Sequence, residues 1–234
     1  MSGTLYLFPV ELSEGTIERV LPQHNIQIIR NVKHFIVENV RSARRFLKRC
    51  DKEINIDELT FFTLNQHTKA EEIGEFVKPL LDGADMGIIS EAGCPAIADP
   101  GADVVAIAQR KGIRVVPLVG PSSILMAMMA SGFNGQSFAF LGYLPIEQGE
   151  RKSKLKALEQ RIRTEHQTQI FIETPYRNNR LIAELCKQLP GNLMLCVASD
   201  VSGERESILT RPLSAWARAK YDYDKTPTIF LLYK

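Results

Sequence analysis

Apolar residues recur along the chain in two rhythms. Short runs, many β-branched or aromatic, stop at turn residues: Leu5-Tyr6-Leu7-Phe8 at Pro9, Gln27-Ile28-Ile29 at a polar break, Asp85-Met86-Gly87-Ile88-Ile89 at Ser90. Arg114-Val115-Val116-Pro117-Leu118-Val119 stops at Gly120-Pro121 in the same way. Such runs predict buried strands. Between them apolar positions fall three and four apart: Val37, Val40, Phe46 and Leu47; Ile73, Phe76, Val77, Leu80 and Leu81; Val104, Val105 and Ala108. That spacing predicts helices with one buried stripe. A helix over Asp103–Arg110 should stop at Lys111-Gly112, where a glycine can take the left-handed conformation. Strands alternating with helices of this length predict βαβ units and a parallel sheet.

The second half has more strands per helix. Ser122 to Ser131 is apolar nearly all round and predicts a buried helix, opened by a serine and stopped by Gly132. A strand near Ser137–Leu141, a basic helix over Arg151–Arg163 and a strand over Gln169–Glu173 follow. Then come a helix over Asn178–Leu189, stopped by Pro190-Gly191, and strands over Leu193–Ala198 and Thr228–Tyr233. This ratio predicts a mixed sheet with antiparallel members. The expected architecture is α/β in two domains, a parallel-sheet domain over 1–119 and a mixed-sheet domain over 120–234.

Composition narrows the function. With 29 Lys+Arg against 27 Asp+Glu, the chain carries +2 overall, so nucleic-acid binding would need local segregation of charge. The four cysteines (Cys50, Cys94, Cys186, Cys196) form no C-x-x-C pair and read as reduced thiols packed as small apolar residues. The N-terminus has no basic stretch before Pro9, and the longest apolar run, Ile124–Ala130, is far too short for a membrane span. A cytoplasmic protein with no membrane partner is expected. The phosphate-loop, dinucleotide-binding, nucleophile-elbow and zinc-hydrolase signatures are missing. His24, His34, His67 and His166 lack any spacing that would bind one metal from one helix face, so no metal is expected.

One stretch stands out: Ser90-Glu91-Ala92-Gly93-Cys94-Pro95-Ala96-Ile97-Ala98-Asp99-Pro100-Gly101. It joins a predicted buried strand to a helix, at the sheet edge where open α/β sheets bind ligands. Gly93 lets a ligand approach the main chain, and Pro95 and Pro100 stiffen the loop. As an exposed loop glycine Gly93 should support no core, so that valine there blocks binding with little loss of stability. The same composition serves a plain chain reversal equally well.

This loop resembles the signature loop of the tetrapyrrole-methylase superfamily, in particular the branch that methylates a cytidine ribose 2′-hydroxyl in small-subunit ribosomal RNA. The resemblance continues through Gly120-Pro121-Ser122-Ser123, Phe140-Leu141-Gly142-Tyr143-Leu144-Pro145, Gly149-Glu150-Arg151-Lys152 and Ile170-Phe171-Ile172-Glu173-Thr174-Pro175-Tyr176-Arg177. It is weaker in the first domain: Phe8-Pro9-Val10-Glu11-Leu12 stands where that branch has a T-P-I-G-N-like turn, Val37-Glu38-Asn39-Val40-Arg41 where it has E-D-T-R, and Asn65-Gln66-His67-Thr68 where it has H-E-x-N. Ala198-Ser199-Asp200-Val201-Ser202-Gly203-Glu204-Arg205-Glu206 matches a late A-R-E-x-T-K-x-x-E pattern in part.

The resemblance implies S-adenosylmethionine as cofactor, held in a cleft between two α/β domains, and a homodimer. It implies cofactor contacts from Leu12, Gly93, Cys94, Ile97, Ser122, Ser123, Ile172, Ala198 and Thr228. For these, ordinary core packing is the competing reading. Methyl transfer to an alcohol needs a proton acceptor, and Glu91, Asp99 and Glu173 are the candidates by position. Asp99 is also suited to accept amide N–H groups at the start of the following helix. The implied RNA partner would meet Arg41, Arg44, Arg45 and Lys48 on one helix face, or Arg151, Lys152, Lys154 and Lys156 at the start of another. Both clusters are equally readable as solvated faces. Methylation of a tetrapyrrole or other small molecule, and binding without methyl transfer, remain the alternative functions.

Overall fold

The structure, a computed structural model, describes residues 2–64, 68 and 70–234. The Asn65-Gln66-His67 part of the segment compared with H-E-x-N lies outside these. The chain divides into two compact units, Met1–Ser122 and Ser123–Lys234.

In the first unit the elements run β1 (Thr4–Phe8), α1 (Ile17–Val20), α2 (Gln23–Ile29), β2 (His34–Val37), α3 (Val40–Cys50) and β3 (Thr60–Thr63). They continue with α4 (Ala70–Phe76), α5 (Lys78–Leu81), β4 (Met86–Ile89), α6 (Gly101–Arg110) and β5 (Arg114–Pro117). The five strands form one sheet in the order β3-β2-β4-β1-β5, and every pairing is parallel. Alternate residues feed opposite faces. Phe8, Phe35, Phe46 and Leu47 pack on one side; Leu5, Ile36, Leu80, Met86 and Val104 pack on the other. A sheet buried on both faces explains why its strands read as unbroken apolar runs. At Gly87 the two flanking rings leave no room for a side chain: a Cβ would stand 2.6 Å from Phe8 and 2.8 Å from Phe35.

Two expectations change here. Gln27-Ile28-Ile29 is the last turn of α2 rather than a strand, with Ile26 and Ile29 buried three apart. The strand is instead His34–Val37, so Val37 ends β2 and does not belong to the helix that Val40 opens. A β-branched pair suits either state, and packing decides. Helix α6 does end as expected, with Lys111 at its cap and Gly112 at φ +67°.

The second unit runs α7 (Ser123–Ser131), β6 (Phe138–Tyr143), α8 (Gln148–Thr164), β7 (Thr168–Ile172), α9 (Asn178–Gln188), β8 (Met194–Ser199), β9 (Ser207–Pro212), α10 (Leu213–Trp216) and β10 (Thr228–Tyr233). Its sheet has the order β6-β7-β10-β8-β9. Only β6–β7 is parallel; β10 and β9 supply antiparallel neighbours. Leu155, Leu158, Ile162, Phe171, Leu181, Leu185, Trp216 and Phe230 anchor its core. Helix α7 departs from the expected full burial. Ala127 and Met128 face inward, whereas Leu125 is 53% and Met129 84% exposed. An apolar sequence all round fixes no buried face, because its hydrophobicity has no direction.

Among the described residues no helix is long and apolar enough to cross a membrane. No group of three or more His, Cys, Asp or Glu there could hold a metal ion. All four cysteines are free, and burial pushes the Cys50 thiol up to about 12.

Candidate functional site

The first unit gathers three loops at the carboxyl ends of β1, β4 and β5. The chain leaves β2 towards β3 on one side and β4 towards β5 on the other, so the connections of these neighbouring strands diverge at a topological switch point, and the loop after β1 lies beside the loop after β4. Backbone bonds tie them together. Val10 N–H donates to Gly93 O at 2.9 Å and Gly93 N–H to Val10 O at 3.0 Å. The loop after β5 joins them: Gly120 lies so close to Pro9 that a Cβ would stand 2.2 Å from the ring, and the Cys94 thiol points at Pro121 O, 3.5 Å away. Helix α3 braces the first loop, Arg49 pairing with buried Glu11 at 2.5 Å.

Within the signature loop the backbone turns through left-handed conformations. Gly93 has φ +72°, and Ala96 and Ala98 take +65° and +59°, values that side-chain-bearing residues seldom adopt. One carboxylate oxygen of Asp99 fixes this shape, accepting from Ala96 N–H at 3.0 Å and Gly101 N–H at 2.7 Å. The helix-start role read from the sequence is therefore present at Asp99. Its other oxygen is buried without a hydrogen-bond partner among the described residues. Burial outweighs the two amides and raises the Asp99 carboxyl above its ordinary range. Ile97 is 55% exposed beside this strained backbone.

Gly93 departs from expectation in one respect. It is buried, and a Cβ there would meet Leu12 Cδ2 at 3.3 Å and Pro121 O at 3.7 Å. Its backbone belongs to the bridge with Val10, so valine at this position costs stability as well as space.

A second carboxylate group lies at the same edge. Glu91 is exposed and accepts from the Ser42 hydroxyl at 2.6 Å. Glu38, the first residue after β2, has its carboxyl raised by burial and then by the charges of Asp99 and Glu91. Glu38 was not singled out from sequence, although its place directly after a strand end was a usable signal. On α3, Arg41, Arg44, Arg45 and Lys48 are all exposed. Arg44 lies over the Phe61 ring, 5.5 Å from its centroid.

In the second unit β10 aligns three of the sequence-predicted residues. Ile229 is in register with Ile172 on one side and with Ala198 on the other, and Thr228 is opposite Ser199. Ile172, Ala198 and Thr228 thus share one sheet end. Ala198 is wholly buried. The Thr228 hydroxyl lies 3.0 Å from both Ser199 Oγ and Thr226 O.

Two candidates are overturned by this unit's ion pairs. Arg151 is not a free cation for RNA: it is 8% exposed and forms ion pairs with Glu173 at 3.2 Å and Glu184 at 3.0 Å. Glu173 is not a free base. Besides Arg151 it accepts from Arg177 at 2.9 Å and from Thr174 N–H at 2.7 Å. Lys152 and Lys156 of the same helix are exposed, and Lys154 is half-buried.

The profile of the tetrapyrrole (corrin/porphyrin) methylases matches residues 21–217. The chain belongs to that family. It is a methyltransferase, with S-adenosylmethionine as methyl donor. Similar curated proteins include "Ribosomal RNA small subunit methyltransferase I" of Pseudomonas aeruginosa, 30% identical over 91% of this chain and 71% of that protein. The Vibrio cholerae protein of the same name is 32% identical over 90% of this chain and 65% of its own length. The chain thus spans roughly two-thirds of the length of these relatives. Among solved structures, the methyltransferase CobJ superposes over 100% of this chain and 95% of its own at a TM-score of 0.65 and 14% identity. Uroporphyrin III C-methyltransferase from Thermus thermophilus gives 0.56 at 12%, covering 99% and 98%. At such identities these two show the shared methylase fold.

At Gly93 a Cβ would fill the space against Leu12 and Pro121, next to main chain whose turn Asp99 fixes.

Proposed function

We propose that the chain methylates ribosomal RNA on a ribose 2′-hydroxyl. The observation that carries the reading is the signature loop, bridged to Val10 through Gly93 and fixed in shape by Asp99, in a chain whose curated relatives are named as small-subunit ribosomal RNA methyltransferases. Leu12, Gly93, Cys94, Ile97 and Ser122 of the first unit, with Ser123, Ile172, Ala198 and Thr228 of the second, are the proposed donor contacts. When bound, S-adenosylmethionine supplies a methyl group on a sulfonium that leaves as a neutral thioether.

The protein's share of the work is alignment and proton removal. Rigid main chain around Gly93 and the Asp99-fixed turn orient the donor with little entropy left to lose. A ribose hydroxyl must give up its proton as it attacks. Glu173 is tied to two guanidiniums and Asp99 is turned onto its own loop, so Glu91 is the exposed carboxylate left to take that proton. Arg41, Arg44, Arg45 and Lys152 are proposed to contact phosphates. A cytoplasmic homodimer is part of this reading, supported by the exposed apolar side chains of α7, Leu125 and Met129.

The test is transfer of labelled methyl from S-adenosylmethionine to small-subunit ribosomal RNA of a strain lacking the protein, followed by digestion to nucleosides. Label in a 2′-O-methylnucleoside is expected. No label in the RNA, or label only on a base, overturns the reading.

A further inference from the structure

The second unit contains a cavity of ≈ 400 Å³, lined chiefly by residues of α9 and the start of α8. Its size falls in the range of roughly 300–1,000 Å³ usual for ligand sites. Its lining is polar and charged, with Arg151, Arg177, Arg180 and Lys187 against Glu173 and Glu184. Four cations against two carboxylates leave two positive charges in excess.

The distribution of those charges matters more than their number. Arg180, Glu184 and Lys187 follow one another at four- and three-residue steps and so share one face of α9. At that spacing Glu184 lies within reach of both Arg180 and Lys187. In the folded unit it pairs with neither. Glu184 turns to buried Arg151 at 3.0 Å and accepts from Gln188 Nε2 at 3.0 Å. Glu173 is likewise committed to Arg151 and Arg177. Both acids are thus occupied by the buried arginine, and among the described residues neither Arg180 nor Lys187 has a carboxylate partner. Both are exposed. In the short helical turn Pro175–Arg177 that brings Arg177 into the lining, Tyr176 is 75% exposed.

We propose that this groove binds phosphodiester groups of the RNA substrate, through Arg180 and Lys187, with Tyr176 offering a ring on which an unpaired base stacks. The inference rests on the RNA-methylating reading above. Cations freed of their acids attract phosphate oxygens, and an exposed aromatic ring accepts bases of any identity. A free phosphate-bearing small molecule shares the same chemistry and is distinguished by the test.

Filter binding of small-subunit ribosomal RNA, over a series of salt concentrations, compares the parent with an Arg180→Ala/Lys187→Ala variant. Both side chains are exposed, so the fold should survive, and unchanged S-adenosylmethionine affinity confirms it. Loss of two phosphate contacts predicts about tenfold weaker binding and a salt slope smaller by about 1.4–1.8. Tyr176→Ala should weaken binding about tenfold with the slope unchanged. An unchanged affinity and slope in the double variant overturns the groove while leaving the methyltransferase reading intact. Failure of the parent to bind or methylate the RNA overturns both. Thermal stabilisation of the parent but not the double variant by inorganic phosphate, with RNA binding equal in the two, makes the site a small-anion site and overturns the RNA assignment.

Discussion

Replacing Gly93 by alanine separates a glycine needed for the fold from one needed for the donor. At φ +72° an L side chain is strained by about 1–2 kcal/mol. The added Cβ would lie 3.3 Å from Leu12 Cδ2, a flexible methyl that can yield, and 3.7 Å from Pro121 O, an ordinary contact. The bridge to Val10 uses only main-chain atoms and is retained. The fold should therefore survive with a loss of about 1–2 kcal/mol. Gly112 supplies the control, since it has φ +67° with nothing within 4 Å of its Cβ; alanine there carries the same strain in open space. Urea denaturation should show similar losses for both variants. Calorimetric titration with S-adenosylmethionine should show parent-like affinity for Gly112→Ala and at least tenfold weaker affinity for Gly93→Ala, a difference of about 1.4 kcal/mol. Equal donor affinity in the two variants would refute the claim that main chain at Gly93 meets the donor.

Other expectations concern charge. Arg151→Met leaves Glu173 and Glu184 without their shared partner in a buried setting, so unfolding in urea should show a loss of about 3–5 kcal/mol; a loss below about 1 kcal/mol would show that the ion pairs are not structural. Arg44→Ala/Arg45→Ala should reduce RNA affinity about tenfold at physiological salt and flatten its salt dependence, with donor affinity unchanged; an undiminished slope would make that face of α3 merely solvated. Asp99 binds its proton more tightly folded than unfolded, so its contribution to stability is fully present at pH below the usual Asp range and is lost as pH rises through its raised folded value. Asp99→Asn should remove that component from the stability–pH curve; an identical pH dependence in the variant would contradict it.

Several features are legible in the amino-acid sequence alone. The apolar runs at Leu5, Met86 and Val115 announce strands because a parallel sheet buries both faces and leaves no polar alternation. The Lys111-Gly112 stop and the Ser90–Gly101 loop are readable because glycine and proline act on the local backbone, whatever surrounds them. The strand–helix identity of residues 27–37 is not legible, since β-branched residues satisfy either state until neighbours choose a face. Nor can sequence say which side of α7 is covered.

Local chemistry, then, determined most of the elements, the family and the position of the Ser90–Gly101 loop. Tertiary structure alone decided which charges remain available. Arg151 and Glu173 looked like an RNA contact and a base, yet burial commits Arg151 to Glu173 and Glu184, and Glu173 to Arg151 and Arg177. Arg180 and Lys187 lie at pairing distance in sequence from Glu184, yet Glu184 pairs with Arg151 instead. The physical reason is that a long charged side chain has several partners within its sequence reach, and the balance between desolvation and pairing that selects one exists only once the helices are packed.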